Sequence, residues 1–336
     1  MSSIEKKTIK IGFVGFWDGF SEKDFYITKI LEKYYNVEIS DNPDYIFCSC
    51  IGEFYKFLDY PQVRIMYIGE NYIPDMNMID YAIAPYPVSF KDRFYYLPQG
   101  MKFHDINSYL TDRSTGKVKF DSKKLEQKTV FANFVASHES EYNYRGDFFK
   151  ELCKYKKVDS VGTYLNNTDF YVNNFDNSKN EYQKKCKFTL CFESTSHGGF
   201  YTEKLVQAFY NDTIPVYYGD PYINETFNKN SFINISDYDS WDDAIQEIIR
   251  LDNDDEAYIE MLNQPVLVNS NLPCDIEHGL ESFLLNIFNQ PKEDAYRRSR
   301  IYYANYYESF VKGCRKIYYS LPVKTAIKIK NKLLHR

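Results

Sequence analysis

The stretch opening at Lys187, KFTLCFESTSHGGFYTEKLVQAFYNDTIPVYYGD, constrains the fold more than any other part of the chain. It reads as a buried strand (FTLCF), a Ser/Thr/Gly loop (ESTSHGG), a helix starting at YTEK, a turn (NDT) and a second buried strand (IPVYYG). Strand, helix, strand in that order calls for a parallel α/β sheet. A glycine loop that leads from a strand into a helix start is a place to hold a phosphate. The helix N-terminus there has unpaired N–H groups and partial positive charge. Glu203 and Lys204 stand in its first turn.

The same alternation runs through the rest of the chain. TIKIGFVG (8–15) reads as a first strand, and Ser21 as the cap of the helix DFYITKILEKYY. VEIS, DYIFCSCIG, RIMYIGEN (64–71), DYAIAPYP and RFYYLP read as further strands. Residues 110–127, polar and rich in Ser, Lys and Asp, read as an inter-domain linker. A second α/β pattern then begins with the strand TVFANFVAS and the helix RGDFFKELCKY. The Asn/Asp-rich residues 166–180 read as a mobile loop. Ser240 and Asp243 form a box-like cap on the one-sided helix WDDAIQEIIRL. Over 336 residues this predicts an N-terminal domain at 1–122, a C-terminal domain at 123–294 and a Tyr-rich, basic helical tail at 295–336.

The formal net charge of −6 argues against a nucleic-acid partner, whose footprint would be basic. The seven Cys include no C-x-x-C pair and fit small apolar residues in a reducing compartment. The N-terminus lacks the apolar run of a signal peptide, and no run approaches a membrane span, so a cytoplasmic protein is expected. The 33 Tyr suit a wet sugar site, although a Lys/Asn/Tyr-biased genome would give the same richness. In the last piece, VKTAIKIKNKLLHR, Lys alternates with Ile and Leu. A basic amphipathic helix at 323–336 is a candidate for membrane-surface contact, the alternative being a solvated helix packed on the protein.

Arg145 and Lys204 each start a helix, and two cation-bearing helix N-termini facing one site would hold a diphosphate. Glu203 can accept from sugar hydroxyls or simply favour the helix dipole. His197, in SHGG, can donate to phosphate or be solvated. Glu70, in the GEN that closes a buried strand, is placed for a general base or a turn residue. Asp237-Tyr238-Asp239 and Asp252-Asn253-Asp254 match the Asp-x-Asp of metal-dependent sugar transferases, but both precede helices where Asp is a capping residue. No metal site is therefore assigned.

With CFESTSHGGFYTEKLVQAFYNDTIPVYYGD and the continuation SFINISDY, the chain resembles the α-1,3/4-fucosyltransferase family. FWDGF, NPDYIF, YIGEN, IDYAI and FKDRFYYLP resemble its bacterial branch. The resemblance implies a GT-B architecture, two Rossmann-like domains facing a central cleft, with GDP-β-L-fucose as donor. It implies donor contacts from Arg145, Lys204 and Glu203, with Phe200, Tyr201, Thr202, Glu193, Ser194, Ser137, His138 and His197 around them. Glu70 would be the base and Glu203 a second catalytic carboxylate. Asp18, Glu70 and Asn71 would meet an oligosaccharide acceptor. No cofactor would be required, with non-essential stimulation by manganese or magnesium left open. Phe200 stands where the family has tyrosine, and Ser194 where it has asparagine. A transferase of another sugar nucleotide and a non-catalytic glycan-binding protein are the rival readings.

Overall fold

The computed structural model describes residues 6–102, 104–172, 177–299 and 301–334. Contacts divide the chain into two compact units, one of residues 1–84, 88–96 and 279–336, the other of residues 85–87 and 97–278.

The first unit is built on strands β1 (Thr8–Val14), β2 (Asn36–Ile39), β3 (Tyr45–Cys48), β4 (Val63–Tyr67), β5 (Tyr81–Ala84) and β6 (Phe94–Tyr96). They form one parallel sheet in the order β2-β1-β3-β4-β5-β6. Helix α1 (Tyr26–Tyr34) crosses from β1 to β2. Ser21 does not cap it. The Ser21 hydroxyl closes on Asp24 instead, one turn ahead of the helix, and the cap position is Phe25. β4 ends at Tyr67, so Glu70 lies in the loop beyond the strand rather than on its end.

The second unit begins with α2 (His104–Ser114) and α3 (Ser122–Glu126). The stretch read as a linker is therefore largely helical. Leu110 and Arg113 are buried, and the Arg113 guanidinium donates to the Phe209 and Leu262 carbonyls of the same unit. The division consequently falls before residue 97 and not at 122. β7 (Val130–Phe134), α4 (Tyr144–Cys153), β8 (Val158–Ser160), α5 (Ser178–Gln183), β9 (Cys186–Phe192), α6 (Glu203–Tyr210), β10 (Ile214–Tyr218) and β11 (Ile233–Asn234) follow. These strands form a parallel sheet in the order β11-β10-β9-β7-β8. Of the Asn-rich stretch, residues 173–176 lie outside the described residues and α5 occupies the end. α7 (Trp241–Asn253) is capped by Ser240, whose hydroxyl also meets Asp243, as the sequence predicts. α8 (Asp255–Leu262) is capped by Asp254.

α9 (Leu272–Asn289) passes from the second unit to the first at Gly279, and α10 (Lys292–Ala295), α11 (Tyr302–Tyr318) and α12 (Leu321–Leu334) remain with the first. The period-two alternation of the strands decides what each sheet face meets. Tyr45 and Phe47 on β3, Tyr81 on β5 and Tyr95 on β6 pack against Phe283 and Phe288 of α9. Ile46, Cys48, Met66, Ala82 and Phe94 form the other face, with Val311 of α11 against it. The segment after 295 is therefore part of the first unit and not a separate tail. Buried charge pins it there. Arg64 pairs with Glu308 at 2.9 Å, and Arg298 pairs with the fully buried Asp80.

Candidate active site

In the second unit β7 is flanked by β8 on one side and β9 on the other, so the connections after β7 and β9 leave the sheet in opposite directions. In open parallel sheets the crevice beyond the strand ends at such a reversal is where ligands bind. The loops that leave there are 135–143, ahead of α4, and 193–202, ahead of α6. They carry Ser137, His138, Glu193, Ser194, His197, Phe200, Tyr201 and Thr202, and the helices they start carry Arg145, Glu203 and Lys204. The fold thus brings the sequence-predicted donor residues to one end of one sheet.

A cavity of about 380 Å³ opens between these loops, lined by Ser140, Tyr142, Tyr144, Glu193, Ser194, Thr195, Ser196, His197 and Tyr218. The α4 side is shaped by two successive residues in the left-handed region, Tyr142 (φ 63°) and Asn143 (φ 60°). For residues other than glycine such angles cost about 1–3 kcal/mol each and persist only where the surroundings enforce them. The other side turns at Gly199, whose φ of +77° suits glycine. The Phe200 N–H donates to the His197 carbonyl across that turn at 3.1 Å.

Arg145 is buried, at 3% exposure. One terminal nitrogen donates to the His138 carbonyl at 3.1 Å. Its Nε and Nη2 are buried without a hydrogen-bond partner among the described residues. Leaving charged donors unpaired in the interior is costly. Glu139 takes the N-terminus of α4 on the other flank, accepting from the N–H of Ser140 and Gly146 and from the Tyr164 hydroxyl. Burial pushes its carboxyl up, and these hydrogen bonds more than reverse that.

At α6 the Thr202 hydroxyl caps the helix, and Glu193 closes the loop from within. Its carboxylate accepts from the Thr202 N–H at 2.8 Å, from the Thr202 hydroxyl at 2.8 Å and from Lys204 at 3.1 Å. A side chain at Gly219 would collide with Glu193, which is why the strand exit after β10 is glycine. Glu193 and Thr202 are buried and serve the loop itself. Lys204 and Glu203 remain about a quarter to a third exposed. Burial would raise the Glu203 carboxyl, but Lys204, Lys179, its own N–H and Lys102 bring it down to about 2. Burial would lower the Lys204 ammonium, but Glu193 and Glu203 raise it.

Phe200 and Tyr201 are both buried. Tyr201 packs edge-on against Phe227 in the core, and Phe200 stacks on Tyr86 at 5.8 Å. Tyr86 also lies 6.1 Å from His197. Sequence reasoning missed Tyr86, Glu139 and Lys179. Lys179 sits in the Asn-rich stretch, where no periodic signal marks a buried cation, and it reaches Gln207 on α6 at 2.7 Å. Of the Asp-x-Asp pairs, Asp237 accepts from Asn224 and Asn234, and Asp252 binds Lys156 and Lys187. Among the described residues no cluster of His, Cys, Asp and Glu has the grouping to hold a metal ion.

In the first unit the corresponding reversal lies between β1 and β3. The loop after β1 carries Asp18, and the loop after β4, two strands over, carries Glu70 and Asn71; all three are exposed. The loop after β3 lies between these two loops and joins the loop after β1 through the Gly52 N–H, which donates to the Gly15 carbonyl at 2.8 Å. Burial, with the Glu70 charge adding to it, pushes the Cys50 thiol up.

Two family models match the chain. The glycosyltransferase family 10 (fucosyltransferase) C-terminal model matches residues 125–263, and the alpha-(1,3)-fucosyltransferase FucT N-terminal domain matches residues 11–103. The chain is 31% identical over 296 residues to the alpha-(1,3)-fucosyltransferase FucT of Helicobacter pylori, covering 78% of this chain and 61% of that protein. It is 28% identical over 152 residues to human 4-galactosyl-N-acetylglucosaminide 3-alpha-L-fucosyltransferase 9, covering 45% of this chain and 41% of that one. The chain therefore spans about three fifths or less of the length of these relatives. A crystal structure of an alpha1,3-fucosyltransferase with GDP-fucose superposes with a TM-score of 0.67 at 25% identity, covering 89% of this chain and 95% of that one. Two Rossmann-like units of this kind are the GT-B fold, and with both family models matched the chain belongs to the family 10 fucosyltransferases.

Proposed function

We propose that the protein is an inverting α-1,3 (or α-1,3/4) fucosyltransferase. It would move L-fucose from GDP-β-L-fucose to the GlcNAc (or Glc) hydroxyl of a β-galactoside such as N-acetyllactosamine. The observation that carries this reading is the Arg145 guanidinium, buried with unpaired donors beside the cavity of the second unit. A leaving nucleoside diphosphate gains negative charge as its bond to the sugar breaks, and fixed cations and helix N-termini meet that charge at little reorganisation cost. The Arg145 charge on α4 opposes the upward shift of the Lys204 ammonium on α6. Glu203, held ionised, would support positive charge on the fucose ring. Glu70 would take the proton of the acceptor hydroxyl, whose oxygen attacks the anomeric carbon from the face opposite GDP. These roles leave no step to a metal, so transfer is expected to persist in EDTA.

We assign the acceptor to a lipid-linked or lipopolysaccharide glycan and the protein to the inner face of the membrane. The support is a helical end that exposes Tyr303, Tyr306, Phe310 and Ile317 on α11 and Lys324 and Lys330 on α12. No helix among the described residues is long and apolar enough to cross a membrane. The deciding experiment offers GDP-fucose with N-acetyllactosamine or its β-1,3 isomer and determines the product linkage. Fucose on O3 of GlcNAc is expected. Transfer from GDP-mannose or a UDP-sugar instead would replace the reading.

A further inference from the structure

The loop after β1 carries an exposed aromatic surface that the reaction scheme above leaves without a role. Trp17 is 44% exposed. It is not a loosely placed side chain. The Phe20 N–H donates to the Trp17 carbonyl at 3.2 Å, and Gly19 at φ +80° completes the turn, a conformation that glycine adopts freely. The Trp17 ring meets Phe20 at 4.9 Å, and Phe20 stacks on Phe16 at 4.2 Å. Phe16 in turn lies parallel to Tyr67, the last residue of β4, from which the chain runs on to Glu70. A chain of rings thus holds one indole outward at the strand ends where the exposed carboxylates Asp18 and Glu70 also stand.

An exposed aromatic face, with carboxylates on loops at the same end of the sheet, suits a pyranose. The C–H face of the sugar covers the ring and leaves its hydroxyls at the edge for polar partners. Galactose bares C3–H, C4–H and C5–H on one face because its O4 is axial, whereas glucose divides its C–H bonds between both faces. We propose that Trp17 is the stacking platform for the galactose ring of the acceptor, and so sets its specificity. The inference rests on the fucosyltransferase reading. The reacting hydroxyl belongs to the adjoining sugar, so a disaccharide needs its platform beside the base and not on it.

The test compares wild type with Trp17→Ala and Trp17→Phe. In Trp17→Ala the KM for N-acetyllactosamine is expected to rise about tenfold, the size of one aromatic stacking contact, with kcat and GDP affinity held. Trp17→Phe is expected to fall between. The preference of wild type for a galactose-terminated over a glucose-terminated acceptor is expected to shrink in Trp17→Ala. In a separate measurement without donor, N-acetyllactosamine is expected to change the indole fluorescence of wild type but not of Trp17→Phe. An unchanged acceptor KM in Trp17→Ala overturns the platform while leaving transfer intact. A glycan-dependent, Trp17-dependent fluorescence change in a protein that does not transfer fucose keeps the platform and removes the fucosyltransferase reading. No fluorescence change in wild type, even at saturating glycan, overturns the platform.

Discussion

Lys204 and Glu193 form an ion pair at 3.1 Å in which the Glu193 side chain is fully buried and Lys204 keeps about a quarter of its surface. The cation at the start of α6 is thereby fixed from behind, by a carboxylate that also holds the Thr202 cap. A lysine anchored on one side and open on the other can meet a diphosphate without first being ordered. Preorganisation of this kind is what electrostatic stabilisation requires.

Removing either cation should therefore be felt in donor binding. Arg145→Ala and Lys204→Met are each expected to weaken GDP binding by about 10- to 100-fold, the range for charged hydrogen bonds. Lys204→Met should also lower the unfolding temperature, because buried Glu193 loses its counter-charge. Isothermal titration with GDP checks the first expectation. Unchanged affinity in both variants would move the donor site elsewhere.

Glu70 stands exposed beyond β4 and makes no structural ion pair that its loss would break among the described residues. Glu70→Gln should fold normally, bind GDP as wild type does, and transfer fucose at least about 100-fold more slowly. Steady-state rates with saturating donor test this. Near-normal turnover would reject Glu70 as the base.

The C-terminal segment should be a stability element of the first unit. Asp80 is fully buried and accepts from Arg298 and from the N–H groups of Arg64, Arg297 and Arg298. Arg298→Met leaves that charge uncompensated, and a loss of about 3–5 kcal/mol is expected in denaturant unfolding. A loss under about 1 kcal/mol, the level of a surface pair, would show that the contact is dispensable.

Lys128, 9% exposed, donates to the Lys184 and Asn211 carbonyls. Burial, with Lys124 adding repulsion, brings its ammonium down from 10.5 to about 7. Between those values the unfolded chain binds more protons than the folded one, so stability should rise with pH. Lys128→Met lacks that contribution. Urea unfolding at pH 7 and pH 10 should show wild type gaining a few kcal/mol over the variant, at about 1.4 kcal/mol for each tenfold loss of proton affinity on folding. A difference that does not change with pH would mean that Lys128 keeps its proton.

Membrane contact is tested by deleting residues 323–336 and floating the protein with anionic vesicles. The full chain is expected to float and the truncated one to stay behind, with high salt weakening the interaction. Flotation of both would exclude these residues as the contact.

Local patterns in the chain were enough to specify the two parallel sheets, the helix starts at Arg145 and Lys204, and the family. Each of these is written at short range, in strand periodicity, glycine at a turn, or a Thr-Glu-Lys at a helix start. The strand-loop-helix run from Lys187 was legible for the same reason. Which of its residues face the cavity was settled only by folding. Phe200, Tyr201 and Thr202 turn inward to build the loop, Ser194 and His197 line the cavity, and the buried Glu193 does both. Folding also made residues 110–127 largely helical and joined the segment after 295 to the first unit. The docking of that segment rests on pairs far apart in the chain, Arg64 with Glu308 and Asp80 with Arg298, whose burial makes each charge depend on the other. No local pattern encodes such a dependence, because the cost of a buried charge arises only once the chain has closed around it.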